Sequence, residues 1–164
     1  THGGSLRVFA THLNARYSVS DSVKNIISIE DQAGLSSAST YSEFNNAIKN
    51  IADSFKAFLI LAKQQKKKVY GYGAAAKAST IVNFCNLDKE LLPAIADKAA
   101  SKQGKLIPGT DIPIISPEAL IQCSPDHVIV FPWNISEEIR LSLAQQFDRS
   151  PRFHKCIPFF QELI

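Results

Sequence analysis

Gly71, Gly73 and Ala76, with Lys77 next to the last of them, stand as G-x-G-x-x-A-K directly behind the apolar pair Val69-Tyr70. In a strand–turn–helix unit this spacing suits a phosphate. The first glycine takes the tight turn, the second lets an anion approach the backbone, and the small third residue lets the helix pack on the strand. The free N–H groups of the helix's first turn, and Lys77 one turn in, then face negative charge. Asp97 follows about twenty residues on, where a dinucleotide enzyme places its ribose-binding carboxylate. The pattern is generic, because small residues also open helices that merely pack closely. A phosphorylated ligand and a purely structural turn both remain open.

Three more groups lie at the carboxyl ends of expected strands, where open α/β sheets hold ligands. They are Asp97 with Lys98, the loop KQGKLIPGTDIP, and Trp133 with Asn134. Lys102 and Lys105 could neutralise a diphosphate, or lie in an ordinary solvated loop. Trp133 is the single tryptophan; its ring could stack on a base while Asn134 hydrogen-bonds it, or simply cover the sheet end. His2, His12, His127 and His154 form no recognisable triad or metal spacing with Cys or Ser. Cys85, Cys123 and Cys156 are far apart, which suits a reduced cytoplasmic chain with neither disulfides nor zinc.

The elements that must position these residues follow from periodicity. Residues 5–12 alternate through Leu6, Val8 and Ala10 after Gly3-Gly4 and predict a strand. Residues 22–35 predict a short amphipathic helix stopped by Gly34. Thr40 and Glu43 form a T-x-x-E capping box. Behind it Tyr41, Phe44, Ile48, Ile51, Phe55, Phe58 and Ala62 keep one stripe, predicting a single helix over 40–66 that packs on the domain's own sheet; the other use of such a stripe is a partner face. Strand (69–72), helix (74–85), strand (94–97), strand (113–115) and a helix opened by Ser116-Pro117 follow. HVIVFPW then reads as a buried strand, Asn134 or Ser136 caps a helix over 137–147, and HKCIPFFQEL makes a last strand or edge. The expected fold is therefore α/β and Rossmann-like: an open, mostly parallel sheet with helices on both faces, in one domain whose residues 1–66 precede a βαβ core over 67–164.

The 164 residues, 45% hydrophobic and 20% charged, describe an ordinary globular chain of one-domain size. A balance of 18 basic against 15 acidic residues leaves +3, and the basic cluster at Lys63 and Lys66–Lys68 reads as a solvated helix end, so neither nucleic acid nor membrane is an expected partner. A chain without methionine that begins at Thr1 is expected to be a piece of a longer polypeptide.

In this order, HGGSLRVFATH, KVYGYGAAAKAS, IADKAASKQGKLIPGTDIPI and VFPWN resemble the C-terminal domain of sugar-nucleotide C-methyltransferases, over nearly the whole chain. The resemblance implies an S-adenosylmethionine-dependent enzyme that methylates a ring carbon of a nucleotide-linked keto-deoxysugar, usually a thymidine diphosphate sugar. There a base removes the proton alpha to the keto group and the enolate attacks the methyl sulfonium. The zinc module, the cofactor-binding domain and the catalytic Y-x-E-H-type segment of such enzymes precede the H-G-G-S motif. This chain would thus be the substrate-side domain, with no catalytic residue, metal or cofactor of its own and the upstream methyltransferase domain as its partner. Gly71, Tyr72, Gly73, Ala74, Lys77, Asp97, Lys98, Lys102, Lys105, Trp133 and Asn134 fall on the family's motifs and are the expected substrate-binding residues. His2 matches a motif at the domain junction. A stand-alone NAD- or nucleotide-binding module, resting on Gly71, Gly73 and Asp97, and a vestigial docking domain are the other readings.

Overall fold

The computed structural model describes residues 5–164. His2, Gly3 and Gly4 lie outside the described residues. The chain resolves into two compact units, Thr1–Ile48 and Lys49–Ile164.

In the first unit helix α1 (Asp21–Gln32) ends on Ala33, and Gly34 takes a φ of +68°. Gly34 N–H reaches Asp31 O at 3.0 Å and Leu35 N–H reaches Glu30 O at 3.1 Å. This is a Schellman stop, for which a glycine is preferred. Two expectations fail here. Residues 5–12 form no strand; Leu6, Val8 and Phe9 are exposed and enter no ladder of the sheet. The Thr40–Glu43 capping box does not form either. Helix α2 (Ala38–Gln64) begins two residues before Thr40, so Thr40 is already helical, and its hydroxyl donates to Gly34 O at 2.8 Å.

Helix α2 is continuous, as the stripe predicts, but only part of the stripe is covered. Phe55, Leu59 and Ala62 are buried, whereas Tyr41 and Phe44 are more than half exposed.

The second unit is built on a six-stranded sheet. Its strands are β1 (Val69–Tyr72), β2 (Ile95–Ala96), β3 (Ile114–Ile115), β4 (His127–Val130), β5 (Arg152–Lys155) and β6 (Gln161–Leu163), in the order β3-β2-β1-β4-β5-β6. All pairs are parallel except β5·β6. Between the strands run helices α3 (Ala76–Phe84), α4 (Pro117–Gln122) and α5 (Ser136–Ala144). The strands bury both faces, as their unbroken apolar runs require. On one face Val69, Ile95, Ile129 and Phe131 pack with Phe55 and Leu59 of α2 and with Ala78 and Val82 of α3. On the other, Tyr72, Ala96, Val128 and Val130 meet Leu120 of α4 and Leu143 of α5. Each fully buried Leu, Ile or Phe is worth about 1.5–3 kcal/mol relative to exposure, so the two layers hold the sheet. The fold is the expected open α/β sheet covered on both sides.

The α4 cap is the one expected: Ser116 Oγ accepts from Ala119 N–H at 3.2 Å, with Pro117 at the first helical position. The α5 cap is not. Asn134 lies in a 3-10 turn (Trp133–Ile135), Ser136 is already helical and buried, and Ile135 holds the cap position without a side-chain bond. The expected single last strand is two. Pro158 cannot donate to a ladder, and the chain folds back around it so that β6 runs antiparallel to β5 at the sheet edge. No helix among the described residues is long and apolar enough to cross a membrane.

Candidate functional site

The strand order reverses between β1 and β4, so the crevice outside their carboxyl ends is the topological switch point of the sheet. The chain leaves β1 through Gly73 and leaves β4 through Phe131-Pro132-Trp133, which brings the glycine turn and the tryptophan together. The Lys77 ammonium lies over the Trp133 ring, 4.5 Å from its centroid, and donates to Asn134 Oδ1. Residues from two separate motifs thus form one cluster.

The two glycines have internal reasons to be there. A Cβ on Gly71 would lie 2.7 Å from Ile95 Cγ1 and 2.8 Å from a Phe131 ring carbon. Gly73 has a φ of +91°, and the space a side chain would fill is taken by the Pro132 ring. The close approach the second glycine permits on that side is therefore to the chain's own proline. Ala74 is buried in the α3-side core. Ala75 occupies the α3 cap without a side-chain bond, so α3 starts two residues later than periodicity suggests.

Asp97 is 8% exposed and engaged on both oxygens. Oδ1 accepts from Ala99 N–H at 2.8 Å and Oδ2 pairs with Lys102 Nζ at 2.9 Å, while Gln103 Nε2 donates to the Asp97 carbonyl at 2.9 Å. Asp97 and Lys102 thus brace the start of their own loop. The rest of that loop is also built. Ile107 N–H bonds Ile112 O at 2.9 Å, Gly104 N–H bonds Ile114 O at 2.9 Å, and Asn83 Nδ2 reaches Pro108 O at 2.9 Å. Gly109, at a φ of +81°, lies against the Asn83 amide. Lys105 is exposed on this loop. Tyr72 and Lys98 form a third group, lining a cavity of about 60 Å³ with Glu138, Ser142 and Gln146. Burial, then the Asp97 and Glu118 charges, push the Tyr72 hydroxyl up, so it is a neutral donor there.

Sequence reasoning passed over Pro132, Asn83 and the pair His127–His154. Pro132 packs on Gly73, and Asn83 touches Gly109 and bonds the Pro108 carbonyl, contacts between distant positions that a linear motif does not show. The histidines are 27 positions apart and share a hydrogen bond of 2.9 Å between Nδ1 and Nε2. Burial and the neighbouring His127 hold His154 down at about 4. A cleft of about 590 Å³ beside them is lined by Phe58, Lys67, Asp126, His127, Arg149 and Arg152 among others. It opens at the amino ends of β4 and β5, away from the switch point, and contains none of the expected site residues. Among the described residues no group of three or more His, Cys, Asp or Glu could hold a metal ion.

With this geometry in place, the similarities are informative. The sequence pattern of the C-methyltransferase C-terminal domain family matches residues 1–158, and the chain belongs to that family. It is 31% identical over 157 residues to the C-methyltransferase NovU of Streptomyces niveus, an alignment that covers 96% of this chain. The chain spans 37% of the length of that relative. Among solved structures, UDP-D-quinovosamine 4-dehydrogenase from Vibrio fischeri superposes on 60% of this chain and 93% of its own, at a TM-score of 0.46 and 20% identity.

Proposed function

We propose that this domain holds the nucleotide-linked keto-deoxysugar substrate of an S-adenosylmethionine-dependent C-methyltransferase and is not catalytic by itself. The observation that carries the reading is the convergence of Lys77, Trp133 and Asn134 at the switch point, outside the carboxyl ends of β1 and β4. A cation, an aromatic face and an amide at one sheet end offer a pyrophosphate, a base and a sugar what each needs. Lys105, Lys98 and Tyr72 are further polar groups at neighbouring strand ends. Asp97 and Lys102 support the ligand indirectly, by holding the loop after β2. S-adenosylmethionine supplies the methyl group in such enzymes. On this reading that cofactor is held by another part of the polypeptide, and the packing of the Gly73 turn against Pro132 supports it. The setting is cytoplasmic, where nucleotide sugars are made.

A docking role is favoured by one observation, the exposed Tyr41 and Phe44 on the otherwise covered stripe of α2. It adds to substrate holding rather than replacing it. A stand-alone NAD module has less behind it, because both oxygens of Asp97 are already engaged.

The test is a chemical-shift titration with thymidine diphosphate, NAD and S-adenosylmethionine. Only thymidine diphosphate should shift residues 71–77, 133 and 134, with a Kd of about 0.1–1 mM, or roughly −4 to −5.5 kcal/mol. Lys77→Ala should make that binding hard to detect, since losing a charge-assisted hydrogen bond costs about 1.5–3 kcal/mol. Shifts elsewhere, a preference for NAD, or micromolar binding of S-adenosylmethionine would refute the assignment.

A further inference from the structure

Residues 6–19 carry more exposed apolar surface than a free-standing segment needs. Leu6 is 65% exposed, Val8 75%, Phe9 83%, and Leu13, Tyr17 and Val19 are each at least 70% exposed. Single exposed apolar side chains are ordinary, but six within fourteen residues form an interaction surface. The pattern is that of a strand: Leu6, Val8 and Ala10 on one side, Phe9 between them on the other. The backbone makes a turn at Ala15 N–H to His12 O, 2.9 Å, and takes no place in the six-stranded sheet.

The chain's own sheet offers no template for it, in this copy or a second one. The two edge strands, β3 and β6, are two and three residues long. Edges that short are the means by which sheets avoid pairing with other strands. Two copies of residues 6–10 pairing with each other would give an isolated two-stranded ribbon, which is marginal in water. The relative that aligns with 157 residues of this chain is much longer, since the chain covers 37% of it. Such a longer relative has the length for a second sheet, which the short edges of this one do not replace.

We propose that residues 6–10 are a β-strand that adds to the edge of a sheet in the methyltransferase part of the same polypeptide, with Leu13, Tyr17 and Val19 packing along the seam. Main-chain hydrogen bonds would give the attachment its strength, and Leu6, Val8 and Phe9 its register. This rests on the reading of the chain as part of a C-methyltransferase, and it names the surface through which the two parts are joined.

Hydrogen exchange read by mass spectrometry tests it on the complete gene product and on the 164-residue chain side by side. Amides 6–10 should exchange freely in the chain and at least about 100-fold more slowly in the complete product, as ladder bonds do. Val8→Pro in the complete product, which removes a ladder donor, should abolish that protection while leaving the thymidine diphosphate shifts at Lys77 and Trp133 in place. The milder Val8→Thr should keep the protection and weaken it. Free exchange in the complete product, or equal protection in the chain alone, overturns the proposal. Loss of nucleotide shifts with protection intact would instead overturn the substrate-binding assignment, so the two failures are distinct.

Discussion

Replacing Gly73 by Ala separates the two reasons a glycine can stand in this turn. A β-carbon there carries two costs. The φ of +91° lies where L side chains rarely go, a penalty of about 1–2 kcal/mol. The methyl would also enter the space held by Pro132 Cγ and Cδ, and overpacking of this kind costs about 1–3 kcal/mol. Gly73→Ala should therefore destabilise the ligand-free chain by roughly 2–5 kcal/mol in urea unfolding. Pro132→Ala removes both ring carbons and on its own should cost about 1 kcal/mol, through the looser unfolded chain. In the double variant the clash is gone but the backbone penalty remains. The pair should then be less damaged than the sum of the single changes by roughly 1–3 kcal/mol. A Gly73→Ala cost below about 1 kcal/mol, or strict additivity, would show that Pro132 does not set the requirement; the glycine would then be kept for its ligand.

Three further outcomes follow from the geometry. Phe55→Ala should cost about 3–5 kcal/mol, because Phe55 is fully buried between Phe131 and Phe160, while Phe44→Ala on the same stripe, 61% exposed, should stay within about 0.5 kcal/mol; equal costs would contradict the half-covered helix. Burial holds His154 at about 4 against 6.5 for the free imidazole. The unfolded chain therefore takes up a proton that the folded chain refuses, stability falls by roughly 3 kcal/mol as pH drops from 6.5 to 4, and His154→Phe should flatten that dependence in unfolding midpoints. Lys77→Met should alter the emission of Trp133, the single tryptophan, at a stability cost below about 1 kcal/mol; an unchanged spectrum would mean that the ammonium does not sit over the ring in solution.

The sequence made the second unit legible because its strands are buried on both faces. Val69–Tyr72 and residues 128–130 are short, nearly continuous apolar runs, the pattern of strands covered on both faces. The Ser116-Pro117 helix start was legible for a local reason, a hydroxyl and a proline at positions that demand them. What periodicity could not supply was the identity of the neighbour. Residues 6–10 have strand chemistry but no strand beside them, and Tyr41 and Phe44 have core chemistry with no core over them. Thr40 failed as a cap because the helix already begins at Ala38, which leaves Thr40 inside its first turn. Lys77, Trp133 and Asn134 were each visible as candidates. Their convergence was not, since it depends on β4 lying beside β1, a pairing across 58 positions at Val69 and His127.

That adjacency also changes what the glycine pattern reports. A strand flanked by parallel neighbours on both sides has its carboxyl end crowded by the loops that leave them, and β1 is such a strand. Gly71 is small because Ile95 of β2 and Phe131, just beyond β4, close over it. Gly73 is small because Pro132 follows β4 at the same level. The G-x-G spacing thus registers the interior position of β1 at the switch point before it registers any ligand, which is why it looks like a dinucleotide loop. Chemical selectivity must then come from side chains that packing does not require. Lys77 qualifies, since it reaches Trp133 and Asn134, neither of which belongs to the buried core. A charged ligand that displaces the ammonium from the ring would free the Trp133 face for a base and the Asn134 carbonyl side for a donor. The ammonium gives up a cation–π contact worth about 0.5–1 kcal/mol and its hydrogen bond to Asn134, which one charge-assisted hydrogen bond to a phosphate, about 1.5–3 kcal/mol, only offsets. The freed ring and amide must then gain contacts with the base or sugar for the exchange to favour the ligand.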